Sequence, residues 1–443
     1  MNDLFSSFQA SSKEEWIAIL TKELKGESIN TLNKFNRVEE ITFPSYFHRE
    51  DQVNAFSDPG QAPFTRGVQS KDNNWTVATT FRITDLKETN REIMAALMAG
   101  TDHLVLEATT GEAIDFSVLL KEVGLTFIHT TFKPKNKEQL VQFLDFAGEA
   151  PSLVEYPATD EILDQVDVAA YLDKKPNLKL FHVDGSSVQQ AGGTTWQELA
   201  IALAEGHEIL VKLLDRGMDC DVAASSVHFT FGIGSKYFFE LAKLRAFRTC
   251  WAQIVSAYSP KVAGSMAATI TARTGFLNTS LKDPYTNLLR QTTEAMSAVL
   301  GGVQHLNIQP YDWYSTDQNT VFTRRMATNI SLLLKEESYL QIVLDPAGGS
   351  YALDSLTDTI AERAWSSFQW IERSGTISNA EVRRTLSSEI EEKAAMRVAE
   401  IQDKTEKRIG INIFPNPEQI TNNWTALPAC WNNLKPLILE QAL

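Results

Sequence analysis

Cysteine is scarce in this chain of 443 residues, with Cys220, Cys250 and Cys430 its three thiols. No two of them stand at the short spacings used by metal ligands or redox pairs. That excludes a disulfide-framed scaffold and a zinc ribbon, and it predicts reduced, buried thiols. Long hydrophobic runs are also missing. No stretch approaches the ~18 apolar residues of a membrane span. The opening MNDLFSSFQASSKEEW has no basic segment leading into an apolar one, as a signal peptide would. Basic charge is in deficit: 41 Lys and Arg face 56 Asp and Glu, a formal net charge of −15. Such a balance leaves no broad positive surface for nucleic acid or an anionic membrane, although a local basic patch can still meet an anionic small molecule. A soluble, cytoplasmic protein without those two partners is expected. What is present is apolar substance. Hydrophobic residues make up 43% and charged residues 22%, enough for a large core and too little bias for disorder.

The pattern along the chain has three parts. Residues 1–60 read as an N-terminal extension or partner arm. Trp16, Ile17, Leu20 and Leu24 share one face of a helix expected from about Lys13 to Lys25, and such a stripe must lie on the chain's own body or on a partner. From Trp75, short apolar runs alternate with helix-length sequence. Strands are expected at Trp75–Phe81, Leu104–Glu107, Phe127–Phe132, Ser152–Tyr156, Leu178–Val183, Met266–Thr271, Val303–Ile308 and Leu340–Val343. Alternating strands and helices imply a parallel sheet, and eight units suit an α/β fold of the (β/α)8 TIM-type over residues 61–372. A doubly wound open sheet stays possible, but no GxGxxG follows an early strand. Long helices are expected at about Trp196–Leu214 and Lys236–Tyr258. The apolar face of the second (Tyr237, Leu241, Leu244, Trp251, Val255, Tyr258) suits either the barrel wall or a subunit interface. Asp283-Pro284 and Gly301-Gly302 bracket another helix, and Ser315 with Gln318 forms a possible capping box for the next. Residues 373–443 form a helical C-terminal region with a charged helix from Asn379 to Lys407.

Several blocks then carry a resemblance. YFFELAKLRAFRTCWAQIV (237–255), DPYTNLLRQTTEAMSAVLGGVQHL (283–306), RRMATNISLLLKEESYL (324–340), DPAGGSY (345–351) and PFTRG (63–67) resemble, in order and spacing, blocks of the methylmalonyl-CoA mutases. The resemblance implies a (β/α)8 substrate barrel and radical isomerisation of an acyl-CoA by adenosylcobalamin. In that chemistry the cofactor performs the hard step and the protein orients substrate and excludes water. Family members hold cobalamin through a DxHxxG motif in a flavodoxin-like domain. None of His48, His103, His129, His182, His207, His228 and His305 fits that motif, and residues 373–443 are too few for the domain. The cofactor is therefore expected on a partner subunit.

The substrate side departs from the family as well. Where catalytic chains carry GYHMQEAG, this one has GSSVQQAG (185–192), so Ser186 stands at the family's Tyr and Ser187 at its His. No arginine occurs between Arg91 and Arg216 to clamp a substrate carboxylate by a bidentate fork. VQSKDNNW (68–75) replaces a tyrosine-bearing stretch. No catalytic residue is expected. Gln189, His305, Asn307 and Gln309 are candidates for a residual pocket, His305 and Asn307 lying near a strand's C-terminal end where barrels place their sites. A plain hydrogen-bonded pair is the competing reading for those two. Gly348 and Gly349 suit a tight turn better than a phosphate cradle, and Arg324 and Arg325 suit a helix surface as well as a CoA phosphate. The implied function is the small subunit of a methylmalonyl-CoA mutase, a structural or regulatory partner of a homologous catalytic large subunit and inactive alone. A homodimer when isolated is a further expectation. The alternatives are an active mutase for another acyl-CoA with cobalamin on a separate chain, and a degenerate CoA-binding or interaction protein.

Overall fold

The computed structural model describes residues 11–51, 57–316, 318, 320–417 and 423–442. Its centre is a parallel barrel of eight strands: β1 (Thr76–Ile83), β2 (His103–Ala108), β3 (His129–Lys133), β4 (Ser152–Val154), β5 (Leu178–Asp184, interrupted at Leu180), β6 (Val227–Ile233), β7 (Thr269–Thr274) and β8 (His305–Asn307). The interruption in β5 closes the barrel. Leu178 and Lys179 pair with β4, whereas Phe181 to Asp184 pair with β6. The remaining neighbours run in chain order, with β8 returning to β1. Every pairing among them is parallel, which requires the helical crossovers that the sequence alternation predicts.

Seven of the eight expected strands fall where expected. The eighth is a correction. Leu340–Val343 is not a strand but turn and bend, with Ile342 and Val343 more than half exposed. The missing strand is β6, in the stretch between the two long helices. It is buried along its whole length.

The helices observed at Thr195–Asp215 and Tyr237–Ser256 match expectation within a residue or two. The second is buried nearly all round, because it is sandwiched between the barrel and the helices 195–215 and 351–373. Phe247 and Trp251 meet Phe229 of β6 edge-on at 4.7 and 4.8 Å, so its apolar face is spent inside the chain. The helix expected from Pro284 begins at Thr286, whose Oγ1 donates to Asp283, and ends at Gly301 with Gly302 in the left-handed region. The next helix begins at Thr320, beyond the expected capping box: Gln318 Nε2 donates instead to the carbonyls of Trp313 and Ser315.

Four of the five blocks of family resemblance meet around Arg245 and Arg248. Asp345 of DPAGGSY accepts from Arg66 of PFTRG and from Arg245 of AKLRA, and Arg245 also reaches Asp354. Arg248 donates to the carbonyls of Phe64, Thr65, Gly301 and Gly302. Loops far apart in sequence are thus tied to a single helix.

The N-terminal helix spans Lys13–Glu23, closed at its start by a Ser12–Glu15 capping box. None of its residues is buried; Trp16 stacks on Tyr46 at 3.8 Å. A charged helix, Ala380–Gln402, is N-capped by Asn379. No helix among the described residues is long and apolar enough to cross a membrane.

Candidate functional site

A barrel's reacting groups gather at the C-terminal ends of its strands, so the lumen and its mouth are the place to look. Ordinary barrels fill the lumen with layers of Val, Ile and Leu. This one is polar. Thr76 of β1 bridges His103 (2.9 Å) and His305 (2.7 Å), and His103 reaches Thr131 of β3 at 2.8 Å. His182 bonds Thr230 at 2.9 Å and stacks on His228, ring centroids 4.8 Å apart. The Nε2 of His228 bonds the carbonyl of Val154 at the end of β4, where the β4–β5 ladder has stopped. Burial drives His103 and His228 down to about 3 and His305 well below its ordinary range. His129 and His182 are lowered by the same cause. The lumen therefore holds neutral imidazoles.

Toward the mouth the lumen carries charge. Glu155, just past β4, accepts from Lys133 (2.6 Å) and Arg273 (2.5 Å). Burial alone would raise its carboxyl; Arg273, then Lys133, hold it well below the usual range. Arg273 is thus engaged by the chain's own carboxylate. Arg82 at the end of β1 lies under the Trp313 ring at 4.2 Å. The loop 310–315 after β8 folds inward, with Tyr311, Asp312 and Trp313 buried. The C-terminal segment lies over that loop: Trp424 stacks on Tyr314, and the Thr425 amide donates to the Tyr314 carbonyl at 2.8 Å. Farther along, the Trp431 indole donates to Glu205 (2.8 Å) and the Leu437 amide to the Gln190 carbonyl (3.0 Å).

Ser186 and Ser187 open a short helix, Ser186–Gln190, directly after β5. Both hydroxyls turn back onto Asp184, Ser186 to its carboxylate and Ser187 to its carbonyl. Gln189 is buried and lies so close to β6 that a Cβ on Gly232 would sit 2.2 Å from its Oε1; its Nε2 has no protein partner. His305, Asn307 and Gln309 form one column on and just past β8. Asn307 exchanges hydrogen bonds with Thr80 and accepts from Gln309 Nε2 at 3.1 Å, while Gln309 Oε1 is buried without a partner. The structure joins these three and keeps Gln189 apart, above β6. Arg324 pairs with Glu92 at 3.3 Å and covers the Phe81 ring. Gly348 packs against Arg66, and Gly349 has φ +86 in its turn.

Two features escape the sequence reading. One is the Lys133–Glu155–Arg273 group, for which only the inward alternation of TITART hinted at a lumen arginine. The other is a buried acid–base cluster behind the short helix. There Lys243 Nζ lies 2.8 Å from Glu198, 2.5 Å from Glu240 and 2.6 Å from the Gly232 carbonyl. Burial pushes Glu198 up to about 8 even with Lys243 beside it.

Cobalamin would need an imidazole free to meet its metal and an open face above the barrel. All seven histidines are described, and none is placed to ligate a corrin. Five are in the lumen, His207 is held between Glu372 (3.0 Å) and Tyr258 (2.7 Å), and His48 sits in the N-terminal segment against Glu50. Part of the mouth is covered by residues 310–315 and 424–442, while Glu155, His182 and Asp184 line an open cavity beside Glu205 and Arg383. The described residues do not fit the group, and among them no cluster of His, Cys, Asp or Glu could hold a metal ion.

A closed parallel α/β barrel with a polar lumen and a charged mouth defines a TIM-type fold. The methylmalonyl-CoA mutase family model matches residues 152–428, and the chain belongs to that family. It is similar to the methylmalonyl-CoA mutase small subunit of Porphyromonas gingivalis, at 30% identity over 98% of this chain and 75% of that one. It is also similar to the methylmalonyl-CoA mutase of Cereibacter sphaeroides, at 30% identity over 90% of this chain and 64% of that one. A probable methylmalonyl-CoA mutase small subunit of Mycobacterium bovis matches at 30% over 81% of this chain and 62% of that one. The chain therefore spans under two thirds of the length of the last two relatives.

Proposed function

We propose that this chain is the small subunit of an adenosylcobalamin-dependent methylmalonyl-CoA mutase. It acts as a structural or regulatory partner of a homologous large subunit that supplies the substrate site and the cobalamin, and it does not isomerise acyl-CoA alone. The observation that carries this reading is the pair Ser186 and Ser187, short side chains folded back onto Asp184 where the family's catalytic chains carry ring-bearing Tyr and His. Two further observations support it. The lumen arginine Arg273 is neutralised by Glu155, and part of the mouth lies under the chain's own C-terminal segment. The N-terminal helix, with no buried residue, suits an arm that finds its apolar contact on the partner.

The test is an isomerase assay with methylmalonyl-CoA and adenosylcobalamin. The chain alone is expected to show no turnover, and addition of the large subunit is expected to yield a stable complex with full activity. Turnover by the isolated chain sinks the reading. A second reading, a retained acyl-CoA-binding role, is favoured by Gln309 Oε1, buried without a partner in a polar lumen. Calorimetric titration with CoA decides it.

A further inference from the structure

The loop from Phe276 to Pro284 leaves β7 and crosses the rim of the mouth. Glu440, 3% exposed, rests its carboxylate there. Its Oε2 accepts from the Ser280 hydroxyl (2.8 Å), the Leu281 amide (2.9 Å) and the Lys282 amide (3.3 Å). Its Oε1 accepts from the Trp424 indole at 2.7 Å. The Lys282 ammonium donates to the backbone carbonyl of Glu440 at 3.3 Å.

The cradle is held in shape by residues other than Glu440. Asn287 grips the Ser280 backbone on both sides, accepting from its amide at 3.0 Å and donating to its carbonyl at 2.7 Å. The Ser280 hydroxyl accepts from the Asp283 amide at 3.2 Å, which leaves the hydroxyl hydrogen for the carboxylate. Two successive backbone N–H groups and a hydroxyl thus converge on one oxygen, the arrangement of an anion nest. Loops after the seventh and eighth strands are a recurrent oxyanion position in barrels of this type.

The occupant's segment is tied at both flanks, the Leu437 amide donating to the Gln190 carbonyl at 3.0 Å and Gln402 Nε2 to the Ala442 carbonyl at 2.9 Å. Leu439 packs with Leu277 and Ile401, with Leu437 and Ala442 beside them, in a small apolar cluster separate from the main core. The segment's regular structure there is one short turn, Leu439–Ala442.

We propose that residues 280–282 form an oxyanion-binding site for the carboxylate or phosphate group of a small molecule, and that Glu440 occupies it as a tethered ligand. A tether gives Glu440 a local concentration on the order of millimolar, so the site is shut to a free anion until the segment lifts. The proposal is independent of the mutase assignment, since it concerns binding in the isolated chain.

The experiment uses Glu440→Ala in the full chain and, as a second variant, the chain shortened after Pro436. Inorganic phosphate and succinate are titrated calorimetrically at constant ionic strength. Both variants are expected to bind one of the probes saturably and at least about tenfold more tightly than the parent. Adding Ser280→Ala is expected to weaken that binding about tenfold, the worth of one hydrogen bond to a charged group. Preference for phosphate marks a phosphate ester as the occupant, and preference for succinate marks a carboxylate. Absence of saturable binding in the folded variants overturns the proposal, as does binding indifferent to Ser280→Ala. Loss of the fold in both variants overturns it too, because Glu440 would then be a structural tie and not a displaceable ligand.

Discussion

At the scale of single residues, the interior of this protein is unusual for how much ionisable chemistry it hides. Lys243 is fully buried among Glu198, Glu240 and the Gly232 carbonyl. Replacing it with Met takes the ammonium away from Glu240 and from Glu198, whose carboxyl burial already pushes up to about 8. Breaking a buried pair in this way costs about 3–5 kcal/mol, and urea unfolding of Lys243→Met at neutral pH is expected to register a loss of that size. The lumen histidines give a pH dependence of defined sign. Their folded pKa values lie below the ordinary 6.5, at about 3 for His103 and His228. The unfolded chain therefore takes up protons first. The histidines' contribution to stability is complete above pH 6.5 and falls as pH drops from there toward 3, by about 1.4 kcal/mol per histidine per pH unit. Glu155, depressed instead, adds to the loss once pH falls below its unfolded value of about 4.5. Glu198, Glu205 and Glu294, pushed by burial up to about 8, 7 and 8, act in the opposite sense between pH 7 and pH 5, so the histidine share is read by difference: the double variant His103→Gln with His228→Gln is expected to lose less stability than the parent between those two pH values, by several kcal/mol. An identical pH dependence in the parent and the double variant would mean that the imidazoles are solvated.

At the scale of elements, the helix 195–215 shows packing overriding propensity. Gly206 lies mid-helix, where Ala ordinarily gains about 1 kcal/mol. Here a Cβ would stand 2.9 Å from the rings of Phe229 and Trp251, both wedged against neighbouring aromatics. Overpacking of this kind costs about 1–3 kcal/mol, so Gly206→Ala is expected to lower the thermal midpoint despite better helix propensity. A higher midpoint would show that the rings can yield. Elements are also where the sequence was most and least legible. Periodicity located the long helices because each has a one-sided apolar stripe or more. Strand β6 stayed hidden although VHFTFGI alternates. His228 and Thr230 face the lumen, Phe229 and Phe231 face the helices, and with both sides buried the run merges into the apolar sequence of its flanks. Leu340–Val343 has the composition of a strand but no neighbour to pair with. The expectation of eight strands was thus met by one omission offset by one false member. Ser186 and Ser187 could be read from a single motif. The Arg273–Glu155 pair and the Glu440 cradle could not, because their partners lie 118 and 160 residues apart and no local pattern encodes such a distance.

At the scale of the whole molecule, a polar lumen divides what most barrels unite. The apolar core of this protein is a shell between the strands and the helices, and the axis inside it is lined by Thr, His, Asn and charged groups. Unfolding therefore exposes less hydrocarbon and more polar surface than in a barrel of equal length with a Val, Ile and Leu axis. Hydration of apolar surface raises the heat capacity of the unfolded chain and hydration of polar surface lowers it. The heat-capacity increment of this chain is accordingly expected to fall below the usual ~12–15 cal/mol/K per residue, a quantity that scanning calorimetry at several pH values reads directly. The curve of stability against temperature flattens with it. A lumen built of hydrogen bonds makes the barrel's response to cooling and to heating shallower than its size implies.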